Sequence, residues 1–469
     1  MIRIALPTGD LRNDTARLLD ASGAAIPEYA SGSRSLRFEF GDGGDIARVF
    51  REKDIPVQVA LGNYDLGICS LEWIEELTQR FPRHDVVRLR ALPFGVRGLW
   101  LATAGDRVQQ NVRIVSEYGN IAETIARRLR LPRYRVFPVS GAAEAYPPED
   151  ADIALVAAES AAAVEAYGLR PIACVLRTSA WLIGNRRSLA SKDLSSLLPR
   201  LLRTGAAKKD APTTDGLTLD LPAINLRFDD DAQPTRKTLR LALPDGHAQA
   251  HTIAGLQAAG IRVFGYEEGT IVRRPQIDVD GVEVKVIRPQ DMPQQVALGQ
   301  FDLAITGRDV LFDHVVEFPS SPVEEIIDLR RSRYSLAVIV KDVAADTVDG
   351  ALREWRTRSG RPIRLASEFP HIADHFARER HFGRYSVIPI AGASEGFVPD
   401  DAEILIEGIE TGSSVRANKL TVLERFFEST NCVIANKQRP TGQLAPIFEA
   451  LVERLRAGAA EPVIAGGGA

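Results

Sequence analysis

The sequence predicts an α/β fold built from two tandem two-lobed units, each with mainly parallel sheets and a cleft between its lobes. The first observation is an internal repeat, because residues 59–68 match residues 296–305 without a gap, 237 positions later. The second is that residues 159–163 match residues 410–414, so the repeat continues in the same order. The third is an alternation of apolar strand patterns with helical patterns, which indicates parallel sheets covered by helices. A period this long indicates a duplicated domain, since solenoid repeats run to roughly 20–50 residues.

The elements of the two units follow one another in the same order. Each unit opens with an apolar strand, residues 2–6 or 239–243, which a Pro-x-Gly turn closes. After a helical pattern, Asp54 and Asp291 each stand two residues before a proline, and an acidic N-cap with a first-turn proline predicts a helix start. That helix ends at a glycine, and a short buried strand follows at 66–68 or 303–305.

A second strand-and-helix series, starting near residues 113 and 364, predicts the second lobe of each unit. The strands at 180–183 and 432–434 are expected to return to the first lobe. We predict the first unit at 1–203 and the second at 237–458. The segment 204–236 is charged and proline-containing with little apolar periodicity, which predicts a linker. The Gly/Ala-rich residues 459–469 are predicted to be a flexible tail.

Composition excludes several classes of protein. Of the 469 residues, 45% are hydrophobic and 26% charged, as in ordinary soluble globular proteins. The net charge of −4 argues against broad nucleic-acid binding, which needs a basic face. The sequence contains no run of about 18 apolar residues, so we expect no membrane span. The scattered Cys69, Cys174 and Cys432, and an N-terminus without a signal-peptide pattern, lead us to expect a cytoplasmic protein with reduced thiols.

The strongest candidate site is the segment 407–418, which follows an apolar strand and leads into a helix. Gly412 allows close approach of the backbone, and Thr411, Ser413 and Ser414 add hydroxyl groups beside the N–H groups of a helix start. Carboxylates before the loop, such as Glu407, can accept hydrogen bonds from sugar hydroxyls. This profile suits a ribose 5-phosphate, although a strand-to-helix turn with Ser/Thr capping is an alternative. The equivalent residues 156–163 of the first unit are alanine-rich and would serve a phosphate poorly.

The pattern acidic-x-x-x-Thr-Gly-x-Ser-hydrophobic-x-x-Asn-x-Leu over residues 407–420 resembles the phosphoribosyl pyrophosphate signature of the ATP phosphoribosyltransferase family, the first enzymes of histidine biosynthesis. Segments 288–293, 302–311, 367–371 and 394–395 are also similar to motifs of that family, and the first unit has weaker forms. The resemblance implies a fold similar to type II periplasmic binding proteins. It also implies a Mg²⁺-dependent transfer of phosphoribosyl to N1 of ATP, with Mg²⁺ carried by the substrate pyrophosphate.

Residue by residue, the resemblance implies a catalytic set and a substrate-binding set. The catalytic set is Glu407, Glu410 and Arg288. The substrate-binding set is Thr411, Gly412, Ser413, Ser414, Asn418, Ser367, Asp291, Arg34 and Arg51. For Arg288 and Asp291 a helix start with an adjacent cation is an alternative, and for Arg34 and Arg51 a surface role is an alternative. No resident metal is expected, because no metal-ligand spacing was found.

The two units are expected to differ in role. We predict a pseudo-dimer in which the degenerate first unit is the intramolecular partner of the second and contributes Arg34 and Arg51 to one active site. The family pattern Pro-Lys-Gly-Arg-Leu is lost at residues 7–11 and 244–248, and His247, expected to be solvated or capping, is a weak substitute. The expected partners are ATP, phosphoribosyl pyrophosphate and a second copy of the chain, with no nucleic acid and no membrane. Alternatives are a non-catalytic small-ligand sensor or regulatory scaffold, and a phosphoribosyltransferase for another nitrogen nucleophile.

Overall fold

The computed structural model describes residues 1–31, 35–41, 44–105, 107–204, 227–229, 236–270, 272–359, 361–392 and 394–460. Two repeats of the same architecture follow each other along these residues. The strands of the first repeat are β1 (Arg3–Pro7), β2 (Arg37–Phe40), β3 (Asp45–Phe50), β4 (Leu66–Ser70), β5 (Val86–Ala91), β6 (Arg97–Thr103), β7 (Arg107–Gln109), β8 (Val112–Ser116), β9 (Tyr134–Pro138), β10 (Ile153–Ala158), β11 (Arg170–Thr178) and β12 (Ala180–Asn185). Its α-helices are α1 (Arg12–Ala21), α2 (Pro27–Ala30), α3 (Ile55–Ala60), α4 (Leu71–Arg80), α5 (Gly119–Arg128), α6 (Ala161–Ala166), α7 (Arg186–Ser191) and α8 (Leu198–Arg203).

A short strand, β13 (Arg227–Asp229), precedes the second repeat. The strands of that repeat are β14 (Leu239–Pro244), β15 (Val263–Phe264), β16 (Gln276–Ile277), β17 (Val282–Ile287), β18 (Leu303–Gly307), β19 (Val323–Asp328), β20 (Tyr334–Val340), β21 (Ile363–Ser367), β22 (Tyr385–Pro389), β23 (Ile404–Ile409), β24 (Thr421–Ser429) and β25 (Asn431–Asn436). Its α-helices are α9 (Ala248–Ala258), α10 (Met292–Ala297), α11 (Arg308–Glu317), α12 (Val348–Ser359), α13 (Pro370–Glu379), α14 (Ser413–Ala417) and α15 (Leu444–Ala460). Short 3₁₀ helices lie at Gly9–Leu11, Glu52–Asp54, Ala143–Ala145, Pro289–Asp291 and Ser394–Phe397.

Each repeat has two lobes, and each lobe is built on one sheet. Lobe 1A has the strand order β2-β3-β1-β4-β12-β5, and lobe 1B has β11-β6-β10-β8-β9. Lobe 2A has β17-β14-β18-β25-β19, and lobe 2B has β22-β21-β23-β20-β24. In every lobe the central strands pair in parallel, as β1 does with β3 and β4, and antiparallel strands extend the sheet. The predicted α/β class is confirmed, and so is the return of β12 and β25 to the first lobe of each repeat.

The repeats pack crosswise, so that lobe 1A contacts lobe 2B and lobe 2A contacts lobe 1B. On the first side, the Phe50 ring makes edge contacts with Tyr64 and Phe397, both at 5.1 Å between centroids. The Tyr64 hydroxyl donates to Asp401 at 2.6 Å, and the fully buried Arg48 pairs with Asp401 at 3.2 Å. Each of these buried charges has a partner, which offsets the cost of removing it from water.

The second side of the interface repeats these contacts at equivalent positions. Arg240, equivalent to Arg3, pairs with Asp150 at 2.8 Å, as Arg3 does with Asp401 at 3.0 Å. Lys285 stands in the place of Arg48 and pairs with Glu149 at 2.7 Å as well as with Asp150. The same surface is therefore used twice, which is the geometry of a two-fold pseudo-dimer.

Three local expectations need correction. Asp54 and Asp291 hold the N-cap positions of α3 and α10, but neither side chain caps its own helix, because both reach into the other repeat. The predicted linker contains β13, which pairs in parallel with β7. Helix α15 continues to Ala460, so the first two residues of the predicted tail are helical, because Gly458 packs closely on Ala259. Residues 461–469 lie outside the described part of the chain.

Candidate functional site

The predicted sugar-phosphate loop lies at the end of β23 in lobe 2B. Gly412 has φ +68°, in the left-handed region that favours glycine, and directly precedes α14. The Thr411 hydroxyl donates to the Ser413 hydroxyl at 3.2 Å, and the Ser413 N–H donates to Thr411 Oγ1 at 3.4 Å. Thr411 is exposed and Ser413 and Ser414 are half-buried, so the hydroxyl groups are accessible from one concave turn.

Carboxylates from two other segments lie close to Glu407 in front of this loop. Glu368 follows β21, Glu395 lies in the 3₁₀ helix before β23, and both carboxylates raise the pKa of Glu407 by charge repulsion. Burial is the larger cause, and together these effects raise the pKa of Glu407 to about 8. Burial also raises the pKa of Glu368. Perturbed carboxyl groups gathered in a cleft are typical of functional sites.

Two cations of the first repeat reach this carboxylate cluster. The Arg51 and Lys53 charges both act on Glu368 and limit the rise of its pKa. A Cβ atom at Gly392 would lie 3.1 Å from Arg51 Nε and 2.9 Å from Glu368 Oε1. Gly392, with φ +108°, therefore leaves the space through which Arg51 crosses the repeat interface. Lys53 also acts on Glu117 of the first repeat, so it lies between the two clefts.

Arg288 makes the reciprocal crossing into the first repeat. Its guanidinium donates to Asp245 at 3.1 Å, and its Nε would lie 2.6 Å from a Cβ atom at Gly141. Burial raises the pKa of Glu117, the counterpart of Glu368, and the Arg288 charge opposes this rise more than any other charge does. The structure thus brings Arg51 to the loop-bearing repeat and Arg288 to the degenerate one.

Asp291 and Asp54 bind backbone groups across the interface. Both carboxylate oxygens of Asp291 accept from the Ser140 N–H at 3.0 Å. Asp54 accepts from the Ala391 N–H at 3.2 Å. Burial raises the pKa of Asp291 to about 7 and that of Asp54 to about 6. These contacts give both aspartates an interface role in this structure.

The remaining predicted residues have distinct positions. The Ser367 hydroxyl donates to the Ile406 carbonyl at 2.9 Å and accepts from the Phe369 N–H at 2.9 Å, as Ser116 does with Leu155 and Tyr118 in the first repeat. Ser367 and its equivalent Ser116 therefore stabilise the same turn in the two repeats. Asn418 donates to the Ser414 carbonyl at 2.9 Å and accepts from the Leu36 N–H of the first repeat at 3.4 Å. Arg34 lies outside the described residues.

Lobe 2A contributes a buried polar group at the base of the cleft. Asp309 is 1% exposed, accepts from the Ser429 hydroxyl at 2.6 Å and is hydrogen-bonded by the Tyr334 hydroxyl. The Tyr334 ring lies against Gly408, where a Cβ atom would be 2.8 Å away. Helix α11 of lobe 2A is thereby tied to the strands that carry the loop.

The first repeat has a partly open cavity of about 240 Å³ next to Val156 and Ala157, which are equivalent to Glu407 and Gly408 of the second repeat. Val156 replaces Glu407, and Ser160 in the place of Thr411 caps α6 by accepting from the Ala163 N–H at 3.2 Å. Arg97 replaces Tyr334 and pairs with the buried Glu72 at 2.5 Å. The cavity is lined by aromatic and charged side chains, including Trp73, Arg97, Glu117, Tyr118, Glu144 and Tyr167.

Sequence reasoning named Glu407 and the segments that contain Glu368 and Glu395, but it missed that the three carboxylates come together, and it missed Lys53. The signal for the cluster was present, because Glu117 and Glu144 stand 251 positions before Glu368 and Glu395, so both repeats retain the pair. The signal for Lys53 was its difference from Gln290 within otherwise matching motifs. His247 was expected to be solvated or capping; it makes no capping bond, and its Nε2 lies 3.4 Å from Glu410 Oε2.

The described residues thus form two tandem two-lobed α/β units, and the second unit carries an exposed Thr-Gly-Ser-Ser turn at the start of a helix. The family model HisG, ATP phosphoribosyltransferase, matches residues 51–203 and 288–457, so the chain belongs to this family, and the resemblance found in the sequence is confirmed. Among the described residues, no helix is long and apolar enough to cross a membrane.

Individual relatives match less than half of this chain. The ATP phosphoribosyltransferase of Chlorobium chlorochromatii is 33% identical over 202 residues, which is 43% of this chain and 65% of that protein. The chain thus spans just under two thirds of the length of that relative. The ATP phosphoribosyltransferase of Janthinobacterium is 29% identical over 223 residues, 45% of this chain and 93% of that protein. A solved ATP phosphoribosyl transferase (HisG:HisZ) complex from Thermotoga maritima aligns with 46% of this chain and 98% of its own, at 17% identity and a TM-score of 0.37.

Proposed function

We propose that this protein is an ATP phosphoribosyltransferase with one active site, in the second repeat. The bond between C1′ of phosphoribosyl pyrophosphate and its pyrophosphate oxygen breaks, pyrophosphate leaves with the electron pair, and N1 of ATP forms the new bond to C1′. The observation that carries the proposal is the turn 411–414, which has its glycine and all three hydroxyl groups in the second repeat, whereas the first repeat keeps only the hydroxyl of Ser160.

The positions of the second-repeat residues support the roles that we propose for them. Thr411, Gly412, Ser413 and Ser414 hold the 5′-phosphate, and Asn418 fixes the end of that turn through Ser414. Glu407 and Glu410 accept hydrogen bonds from the ribose hydroxyls. The reaction requires little covalent chemistry of the protein, so positioning and electrostatic stabilisation supply most of the rate.

The first repeat acts as the intramolecular partner. Arg51 and Lys53 supply positive charge beside Glu368, where the leaving pyrophosphate needs it. Mg²⁺ comes bound to the pyrophosphate group, and the carboxylate oxygens of the Glu407 cluster suit its preference for oxygen ligands. We further propose a homodimer of these chains in the cytoplasm, for which light scattering of the purified protein is the direct test of assembly.

The test is formation of the N1-ribosylated product, measured by its absorbance and by pyrophosphate release, with ATP, phosphoribosyl pyrophosphate and Mg²⁺. Thr411→Ala/Ser413→Ala should lose turnover by at least about 100-fold, since each lost hydrogen bond to a charged group is worth about 1.5–3 kcal/mol. Glu159→Gln in the first repeat, matched to Glu410→Gln in the second, should leave turnover unchanged. Turnover that survives the loop substitutions would refute the assignment.

The first-repeat cavity favours a second candidate, a ligand-sensing role that accompanies catalysis or replaces it. Its 240 Å³ would admit a small molecule, and its lining combines acids, Arg97 and aromatic rings. Absence of turnover, together with a thermal shift by small ligands that Trp73→Ala removes, would favour this alternative over the transferase.

A further inference from the structure

We propose that His247, His251 and Glu410 form a binding site for a divalent transition-metal ion, with Zn²⁺ as the best match, across the mouth of the second-repeat cleft. The ligand atoms of these three residues all lie within 4.8 Å of one another. Among the described residues they are the one group of three histidine, cysteine or acidic side chains whose ligand atoms come this close together. The two histidines belong to lobe 2A, and Glu410 belongs to the loop of lobe 2B.

The local structure explains why the histidines converge. His247 directly precedes α9 and His251 lies in its first turn, so the four-residue spacing places both rings on one side of the helix. Their ring centroids are 5.7 Å apart and the ring planes differ by 69°, so the rings meet edge to face. Neither ring is stacked flat on the other, and their nitrogen atoms can turn towards one point.

The distances fit a tetrahedral ion. Zn–N and Zn–O bonds are about 2.0–2.2 Å, so two ligand atoms on a tetrahedral ion lie roughly 3.4 Å apart. His247 Nε2 and Glu410 Oε2 are 3.4 Å apart. The His251 nitrogen lies within 4.8 Å of both of these atoms, and the His251 side chain is half-buried, which limits the conformational entropy lost on binding an ion.

The chemistry of the donors selects the metal. Imidazole nitrogens suit Zn²⁺, Ni²⁺ and Cu²⁺, whereas Mg²⁺ takes oxygen ligands and keeps several waters. Two histidines and one carboxylate leave a fourth position open. An ion held here would place a positive charge beside the turn 411–414, in a region where the chain has no lysine or arginine at residues 244–248.

The first repeat lacks this arrangement. The positions equivalent to His247, His251 and Glu410 are Asp10, Asp14 and Glu159. Asp14 instead pairs with Arg17 at 2.8 Å, within its own helix. The site is therefore a property of the repeat that kept the loop, and an ion bound there would join lobe 2A to lobe 2B.

The experiment is calorimetric titration of the whole protein with Zn²⁺ in the presence of excess Mg²⁺, followed by Co²⁺ absorption spectra. We expect one equivalent per chain, an increase in melting temperature on binding, and an intense tetrahedral Co²⁺ spectrum. His247→Ala, His251→Ala and Glu410→Gln should each weaken binding by at least about tenfold. His375→Ala is the matched control, because His375 pairs with Glu379 at 3.2 Å on an exposed helix face without a third ligand.

Equal binding by wild type and the three ligand variants, or equal loss in the His375→Ala control, would mean an adventitious ion only and would overturn the proposal. Binding of no ion would overturn it as well. The readout is metal affinity, so failure of the transferase assay leaves this test intact. Unchanged melting temperatures of the metal-free variants would show that each of them folds.

Discussion

Arg51 and Arg288 occupy equivalent positions in the two repeats, but replacing Arg51 by alanine should impair catalysis strongly, whereas replacing Arg288 should have little effect. Arg51 crosses the interface beside Gly392 and acts on Glu368 in front of the loop. Arg288 crosses beside Gly141 and acts on Glu117 in the degenerate cleft. The two residues therefore form a matched test of which cleft performs the transfer.

The magnitude for Arg51→Ala follows from the contact it loses. A guanidinium that donates to a phosphate oxygen contributes about 1.5–3 kcal/mol, and each 1.4 kcal/mol is about a tenfold change. We expect kcat/KM for phosphoribosyl pyrophosphate to fall by about 10- to 100-fold. Arg51→Lys should restore part of this, because it keeps the charge but loses the planar fork.

The assay is steady-state kinetics of pyrophosphate release at several phosphoribosyl pyrophosphate concentrations, with melting temperatures as a check on folding. Arg288→Ala should change kcat/KM by less than about threefold, since its charge acts on Glu117 of the degenerate cleft, and its partner in the second repeat, Asp245, keeps its ion pair with Arg273. Equal losses for both alanine variants, or no loss for Arg51→Ala, would refute the reasoning.

Three further predictions concern single side chains. The affinity for phosphoribosyl pyrophosphate should rise between pH 7 and pH 9, because the Glu407 carboxyl, with its pKa raised to about 8, ionises and then accepts hydrogen bonds from the ribose hydroxyls. Binding titrations of Glu407→Gln should lack this inflection, and an inflection that persists would show that Glu407 is not its source. Asp291→Asn should melt at a higher temperature than wild type at pH 8 and at the same temperature near pH 4. The reason is that the pKa of Asp291 is raised in the folded state, so the stabilisation from its protonated form is complete below the unfolded pKa and is lost as pH rises through about 7. A gain in melting temperature that is the same at both pH values would contradict this. Asp401→Ala should lower the free energy of unfolding by about 3–5 kcal/mol in urea titrations, because the fully buried Arg48 loses the Asp401 carboxylate as a partner. The control Asp14→Ala, on the surface, should change the free energy of unfolding by less than about 1 kcal/mol.

The sequence was most informative where function depends on contiguous residues. The turn 411–414 follows a strand and needs only local geometry, so its pattern was enough to predict a left-handed glycine beside hydroxyl groups. The return of β12 and β25 to the first lobes followed from short apolar runs at equivalent positions. Because the same strand pattern occurs in both repeats, each repeat supported the strand assignment in the other.

The sequence was least informative where residues far apart in the chain meet. The direction in which Arg51 and Arg288 point depends on crosswise packing of the repeats, which no local pattern specifies. The expectation of acidic helix caps at Asp54 and Asp291 failed for the same reason, because backbone N–H groups of the opposite repeat compete for these carboxylates. The grouping of His247 and His251 with Glu410 needs closure of a cleft over about 160 residues of chain, far beyond the spacing that a metal-ligand motif uses.

The central claim is that one chain holds one phosphoribosyl-transfer site, in its second repeat. Equilibrium dialysis of the purified protein with radiolabelled phosphoribosyl pyrophosphate and Mg²⁺ measures this directly. The account predicts one molecule bound per chain for wild type and none for Thr411→Ala/Ser413→Ala at the same ligand concentration. Two molecules bound per chain, or one that remains after the loop substitutions, would show that the first repeat binds the substrate and would contradict the account.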